Sequence, residues 1–136
     1  MIRRHDWPER LIAVIEASAA RAFAPGVHDC GTFAADCIEA VTGQDVAADW
    51  RGAYDDQAAG LALAGVRSVV ALPEKVGLTP VPTALARRGD IAIAAVGPVI
   101  DGVPALALAV FDGAWLVGPC GVRVPRDLAR RAWSVG

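Results

Sequence analysis

An apolar stripe with the spacing of an α-helix constrains the fold of this chain more than any other feature. Its members recur three and four residues apart, and they are Cys30, Phe33, Ala34, Cys37, Ile38 and Val41. Asp29 directly before the stripe is a typical N-cap, and Gly43 after it is a typical C-terminal stop. A helix with one such face must bury it, so the spacing predicts a core helix that begins at Cys30.

Two further helical regions are predicted, one on each side of this helix. Before it, Asp6 and Glu9 have the spacing of a capping box, and the helix that they open is expected to end near Ala22. After it, residues 55–76 are predicted to be helical in two pieces, because Gly60, Gly65 and Pro73 interrupt them. An extended linker is expected at residues 79–82, where the sequence reads Thr-Pro-Val-Pro.

The character of the sequence changes after Gly89, where β-branched and apolar residues alternate with turn signals. Strands are predicted at residues 90–96, 105–111, 114–117 and 122–124, with a hairpin turn at Asp112-Gly113 and a last helical stretch at 125–131. Helices followed by a strand meander are typical of the α+β class with an antiparallel sheet. We therefore expect a single domain over residues 1–136, with a helical part at about 6–76, a strand meander at about 90–124 and a C-terminal segment at 125–136.

Composition excludes several classes of protein. With 54% hydrophobic and 21% charged residues in 136, the chain is not a disordered segment. A formal net charge of −2 argues against nucleic acid as a partner. The longest apolar stretch, residues 91–100, is too short to span a membrane, and no apolar run of an export signal follows the N-terminal arginines. We expect synthesis in the bacterial cytoplasm.

The three cysteines, Cys30, Cys37 and Cys120, are too few for a disulfide scaffold. The chain also has no short Cys/His ligand spacing and no glycine-rich phosphate loop, so we expect no metal and no cofactor. Cys30 is the strongest candidate for a reactive side chain, because the start of a helix favours the thiolate form of a cysteine. The competing interpretation is that Cys30 is simply the first apolar residue of a buried stripe.

Several short motifs resemble the NlpC/P60 group of papain-like cysteine peptidases. In that group an Asp-Cys pair opens the first core helix, as Asp29-Cys30 does here, and a Gly-Asp pair opens the first strand of a half-barrel, as Gly89-Asp90 does here. The resemblance implies a papain-like fold in which N-terminal helices pack on a short antiparallel half-barrel sheet. It also places Cys30 at the position of the catalytic nucleophile.

A closer resemblance is to a small family of unknown function encoded among the tail genes of phages, prophages and gene transfer agents. It covers nearly the whole chain and is carried by residues 28–30, 33–36, 42–43, 49–52, 88–90 and 132–133. The resemblance implies a component of a virion or gene-transfer-agent tail, at the tail tip or hub. The implied partners are other tail-tip or hub proteins, with peptidoglycan as a further partner.

The sequence departs from the NlpC/P60 pattern at the catalytic base. The histidine of that group opens the second strand of the half-barrel, and the matching position here is Ala105. No histidine follows residue 28, so His28 is the candidate base in this chain, two residues before Cys30. A thiol nucleophile needs a base that also delivers a proton to the leaving group. We therefore expect a structural or assembly role for a degenerate fold, and the alternative is an active cysteine peptidase or amidase that cleaves peptidoglycan cross-bridges during genome entry.

Overall fold

The computed structural model describes residues 1–136 as four α-helices and eight β-strands. The helices are α1 (Trp7–Ala19), α2 (Cys30–Thr42), α3 (Gln57–Ala64) and α4 (Leu72–Lys75). The strands are β1 (Thr79–Val81), β2 (Ile91–Ala94), β3 (Val99–Ile100), β4 (Val103–Pro104), β5 (Ala107–Asp112), β6 (Trp115–Val117), β7 (Arg123–Pro125) and β8 (Arg131–Ser134). None of the helices combines the length and the apolar character that crossing a membrane requires.

Six strands form one antiparallel sheet in the order β1-β8-β2-β5-β6-β7, and β3 and β4 form a separate hairpin. The predicted α+β class with an antiparallel sheet is confirmed. The hairpin was not predicted. The hairpin lies between β2 and β5 in the chain. Its tight turn contains Asp101 in the left-handed conformation (φ 51°), followed by Gly102.

The sheet separates two apolar layers. On one face, α1 and α2 pack against large side chains, including Ile91, Ile93 and Trp133. On the other face, mostly alanines surround Phe111 and Leu116 in a thinner layer. The strand period places alternate residues of β2 in opposite layers, because successive side chains of a strand point to opposite faces.

The predicted core helix α2 is confirmed at both ends. The Asp29 carboxylate accepts the Thr32 N–H at 2.8 Å, and the Thr32 hydroxyl oxygen accepts the Asp29 N–H at 2.8 Å, which is a reciprocal capping box. Gly43 ends the helix in the left-handed conformation (φ 81°), where a side chain would be strained.

The other two helical predictions need correction. Asp6 precedes α1, but its carboxylate makes no capping bond and instead binds Arg10 at 2.7 Å, and the helix ends at Ala19 rather than near Ala22. In residues 55–76 the break falls at Gly65, as predicted. Gly60 lies inside α3 without interrupting it, and a Cβ there would come within 2.8 Å of the Tyr54 ring. Pro73 does not interrupt a helix either, because it lies in the first turn of α4, where a proline is tolerated.

Three predictions about extended and turn segments also need correction. Residues 79–82 are not a linker, because residues 79–81 form the edge strand β1 on β8, where a proline is tolerated. The stretch 125–131 contains only one 3₁₀ turn, Arg126–Leu128, before β8 enters the sheet between β1 and β2. The hairpin turn after β5 is Gly113-Ala114, since Asp112 already pairs with Trp115.

Asp90 ties both ends of the chain to the sheet. Asp90 is only 1% exposed. Its carboxylate accepts hydrogen bonds from the Arg3 guanidinium (2.9 Å), the Arg87 N–H (2.7 Å) and the Val135 N–H (3.0 Å). Removing one partner of a buried ion pair leaves the other charge uncompensated.

We therefore expect Asp90→Asn to lower the free energy of unfolding by about 3 kcal/mol, the usual cost of breaking a buried pair. Urea unfolding followed by circular dichroism measures the difference. The matched control is Asp127→Asn, because Asp127 is exposed and makes no ion pair, and it should unfold like the wild type. Equal stability of the two variants would show that Asp90 does not anchor the termini.

Candidate functional site

A cavity of about 430 Å³ opens where the start of α2 meets β5 and the base of the β3–β4 hairpin. Most of its lining is apolar, and the residues that matter below are Asp29, Cys30, Trp50, Tyr54, Ala105 and Cys120. We call it the Cys30 cavity. Cavities of this size, mostly apolar with a few polar groups, are typical of sites for small molecules or short peptide segments.

Cys30 is half-buried in the wall of this cavity, at the first residue of α2. Burial raises the pKa of its thiol, and the neighbouring Asp29 carboxylate raises it further. The backbone N–H groups of Leu108, Cys30 and Gly31 lower the pKa, but by less than burial raises it. The thiol is therefore protonated near neutral pH, although it sits where a helix start would favour the thiolate.

Asp29 is committed to structural bonds. In addition to the Thr32 N–H, it accepts the Gly26 N–H at 2.8 Å and the Tyr54 hydroxyl at 2.6 Å. Both of its oxygens are thus occupied by donors that hold the loop, the helix start and the cavity wall together. No hydrogen bond joins the Asp29 carboxylate to the Cys30 thiol, and its three structural donors would compete with any role of Asp29 as the missing base.

Tyr54 and Trp50 form an aromatic wall beside Cys30. Their ring centroids are 6.2 Å apart, and Trp50 lies against Gly31. Burial and the Asp29 carboxylate raise the pKa of the Tyr54 hydroxyl, so this group remains a hydrogen-bond donor. Tyr54 was not predicted from the sequence, since no motif singles it out within the polar connection after α2.

His28, the candidate base, faces away from the Cys30 cavity. It is 1% exposed and lines a different space between α1 and α2, where its Nε2 lies 2.8 Å from the Ser18 hydroxyl. Its Nδ1 is buried and has no hydrogen-bond partner, so neither ring nitrogen bonds to the Cys30 thiol. Burial lowers the pKa of His28, and the charge of Arg21 adds to this effect. We call this second space, lined by Arg10, Ser18, Arg21, His28, Asp36 and Glu39 among others, the α1–α2 cleft.

Ala105, which stands where the resemblance would place a histidine, does line the Cys30 cavity. The cavity has no histidine in its wall, and its other titratable side chains are Asp29, Tyr54 and Cys120. Nowhere in the chain do three or more His, Cys, Asp or Glu side chains gather as metal ligands would. The structure thus brings Cys30 and Ala105 together and leaves His28 outside.

Cys120 was expected to be a loop thiol, and it lies in the turn Pro119–Gly121 at the cavity wall. It adopts a left-handed conformation (φ 63°), which is unusual for a residue with a side chain. Its N–H donates to the Ser18 hydroxyl oxygen at 3.1 Å, and this bond connects the turn to α1.

The sequence matches a protein family described as Domain of unknown function (DUF6950) over residues 2–135. Since the match covers almost the whole chain, the chain belongs to this family. No curated protein and no solved structure matches it.

The raised pKa predicts slow alkylation of Cys30. In the folded protein its reaction with iodoacetamide should be slow at neutral pH, and the pH at which the rate reaches half its maximum should lie above that of the same cysteine in the urea-unfolded chain. Peptide mapping by mass spectrometry separates Cys30 from the other two thiols. A midpoint below that of the unfolded chain would mean that Cys30 is an activated thiolate.

Proposed function

We propose that this DUF6950 member is a structural or assembly component of a phage-type tail, at the tail tip or hub. Its fold would be papain-like, related to that of the NlpC/P60 peptidases, with a cleft that no longer catalyses. The observation that supports this most directly is the pairing of Cys30 with Ala105 in one cavity without a histidine.

The arrangement of elements is consistent with the papain-like part of the proposal. Cys30 begins α2, α2 packs on the antiparallel sheet, and Gly89-Asp90 stands directly before β2. The residues directly before β5, including Ala105, face the same cavity as the thiol. This is the relation between nucleophile and base that the resemblance implies, with a methyl group in place of the imidazole.

Hydrolysis by a thiol requires two proton transfers, one from the nucleophile and one to the leaving amine. The pKa of Cys30 is raised, so its proton would have to be removed at a cost. Asp29 is occupied by three donors, and His28 is bonded to Ser18 in the other cleft. A cavity with these properties is suited to binding, which fits an assembly role.

The surface offers apolar area for contacts with neighbouring tail proteins. On the β3–β4 hairpin, Val99, Ile100 and Val103 are 67%, 63% and 65% exposed. Large apolar side chains grouped at one projecting element are common at protein interaction sites. This exposure supports a role within an assembly over one as a freely diffusing enzyme.

The alternative function is a cysteine hydrolase acting on peptidoglycan cross-bridges. One feature favours it: the backbone N–H groups of Leu108, Cys30 and Gly31 lower the pKa of the Cys30 thiol, as groups that stabilise negative charge on the sulfur would. In this case a neighbouring chain would have to supply the histidine.

The two functions differ in what Cys30→Ala should do to the particle. In the producing bacterium, a deletion of this gene complemented by Cys30→Ala should give the same infectious titre as complementation by the wild type, because the proposed role needs no nucleophile. Cys120→Ala is the matched control, since it removes a second thiol from the same cavity wall. Detection of the protein in purified tails with an antibody tests its presence in the particle.

Loss of infectivity with a stably folded Cys30→Ala protein, but not with Cys120→Ala, would contradict the structural role. Absence of the protein from both the finished tails and the assembly intermediates would contradict the placement in a tail.

A further inference from the structure

His28 lies at the junction of two segments that form part of the wall of the Cys30 cavity. The first is the loop before α2. Within it the His28 N–H donates to the Ala24 carbonyl at 2.7 Å, and the Ala24 N–H donates to the His28 carbonyl at 2.9 Å. This pairing closes the loop, and two residues of the loop, Phe23 and Pro25, line the cavity. The position of His28 therefore determines the shape of this part of the wall.

Ser18 connects the His28 ring to the second segment, the turn Pro119–Gly121. The Ser18 hydroxyl lies 2.8 Å from His28 Nε2, and its oxygen accepts the Cys120 N–H at 3.1 Å. Cys120 lines the same cavity as the loop does. Ser18 and His28 are 2% and 1% exposed, so this connection lies inside the protein. The loop and the turn thus depend on one buried imidazole.

The charged form of His28 does not suit this position. An imidazolium has an N–H on both ring nitrogens, whichever of the two carries the hydrogen in the neutral form. Nε2 has Ser18 as a partner, but Nδ1 is buried and no protein atom accepts a bond from it. Protonation therefore places a charge and a donor without a protein acceptor in the interior, which costs free energy.

The charges around the imidazole leave this cost in place. Burial lowers the pKa of His28 most, and Arg21, just after α1, lowers it further. The carboxylates of Asp36 on α2 and Asp29 at the helix start act in the opposite direction, but Asp36 is bound to Arg51 at 2.7 Å and Asp29 is occupied by three donors. The turn 119–121 has the Cys120 thiol as its only titratable group. The other charged residues that line the α1–α2 cleft are exposed, and they are Arg4, Arg10 and Glu39.

We propose that His28 is a pH-sensitive switch for the wall of the Cys30 cavity: its neutral form holds the loop 23–28 and the turn 119–121 in place, and its protonation loosens both. The folded protein binds this proton less readily than the unfolded chain does. The stability that neutral His28 contributes is therefore complete above the ordinary histidine pKa of about 6.5, and it is lost as the pH falls from there through the lowered pKa of the folded state. The inference concerns the wall of the cavity and not its occupant, so it does not depend on the proposed function.

NMR of the full chain between pH 7 and pH 5 tests the switch. The pKa of His28 is measured in the folded protein and in the urea-unfolded chain, and we expect the lower value in the folded protein. Hydrogen exchange of the Cys120 N–H is measured at each pH and corrected for its intrinsic rate. Its protection should fall by up to about thirtyfold at pH 5, the ratio of charged to neutral imidazole there when the pKa has its ordinary value.

The Ala109 N–H, in the buried strand β5, reports unfolding of the whole domain. At both pH values the Cys120 N–H should exchange faster than the Ala109 N–H, because the proposed opening leaves the sheet folded. Equal protection of the two groups at pH 5 would mean that the whole domain unfolds, and it would overturn the proposal of a local switch.

Two histidine variants complete the experiment. His28→Gln keeps a hydrogen-bonding group near the position of Nε2 but cannot be protonated, so its Cys120 N–H should keep its protection between pH 7 and pH 5. His5→Gln is the matched control, because His5 is exposed and does not line the cleft, and it should respond like the wild type. The wild-type measurements decide the question where His28→Gln does not fold.

Three results would overturn the inference. The first is a pKa of His28 in the folded protein that equals or exceeds the value in the unfolded chain. The second is unchanged protection of the wild-type Cys120 N–H at pH 5. The third is the same loss of protection in folded His28→Gln as in the wild type.

Discussion

The rest of the site depends on the hydrogen bonds that the carboxylate of Asp29 accepts. By accepting bonds from Gly26, Thr32 and Tyr54 it fixes the loop before α2, the first turn of α2 and the aromatic wall of the cavity together. Cys30 follows directly, so its position is set by the same bonds. The arrangement has a chemical consequence, because a negative charge beside a buried thiol opposes its ionisation.

Cys30 is therefore subject to two opposing effects. The helix start and nearby N–H groups favour the thiolate, whereas burial and Asp29 favour the thiol, and burial is the largest effect. In an active cysteine hydrolase an imidazole would resolve this conflict by taking the proton. Here Ala105 lines the same cavity as Cys30, no histidine does, and His28 lies beside Ser18 in the α1–α2 cleft. The proposed function follows from that separation.

The sequence predicted α2 correctly because local signals agree there: a cap, a stop and a helical stripe. It predicted α1 imperfectly because Asp6 has a better partner in Arg10 than in the helix N–H groups, and a sequence pattern does not rank such alternatives. Residues 79–81 and 131–134 could not be recognised as paired strands, since their pairing joins segments about fifty residues apart. The same limit applies to the site. That Ala105 and Cys30 share one cavity was implied by resemblance, but the orientation of His28 and the bond from Tyr54 to Asp29 depend on tertiary packing.

The most direct test of the central claim is digestion of purified peptidoglycan by the wild type and Cys30→Ala, with the released fragments identified by mass spectrometry. The assay uses the isolated protein and the assembled tail, because a neighbouring chain could contribute a histidine. We expect no fragment that depends on Cys30 in either preparation. Fragments released by the wild type and absent with folded Cys30→Ala would contradict it and establish a working cysteine hydrolase.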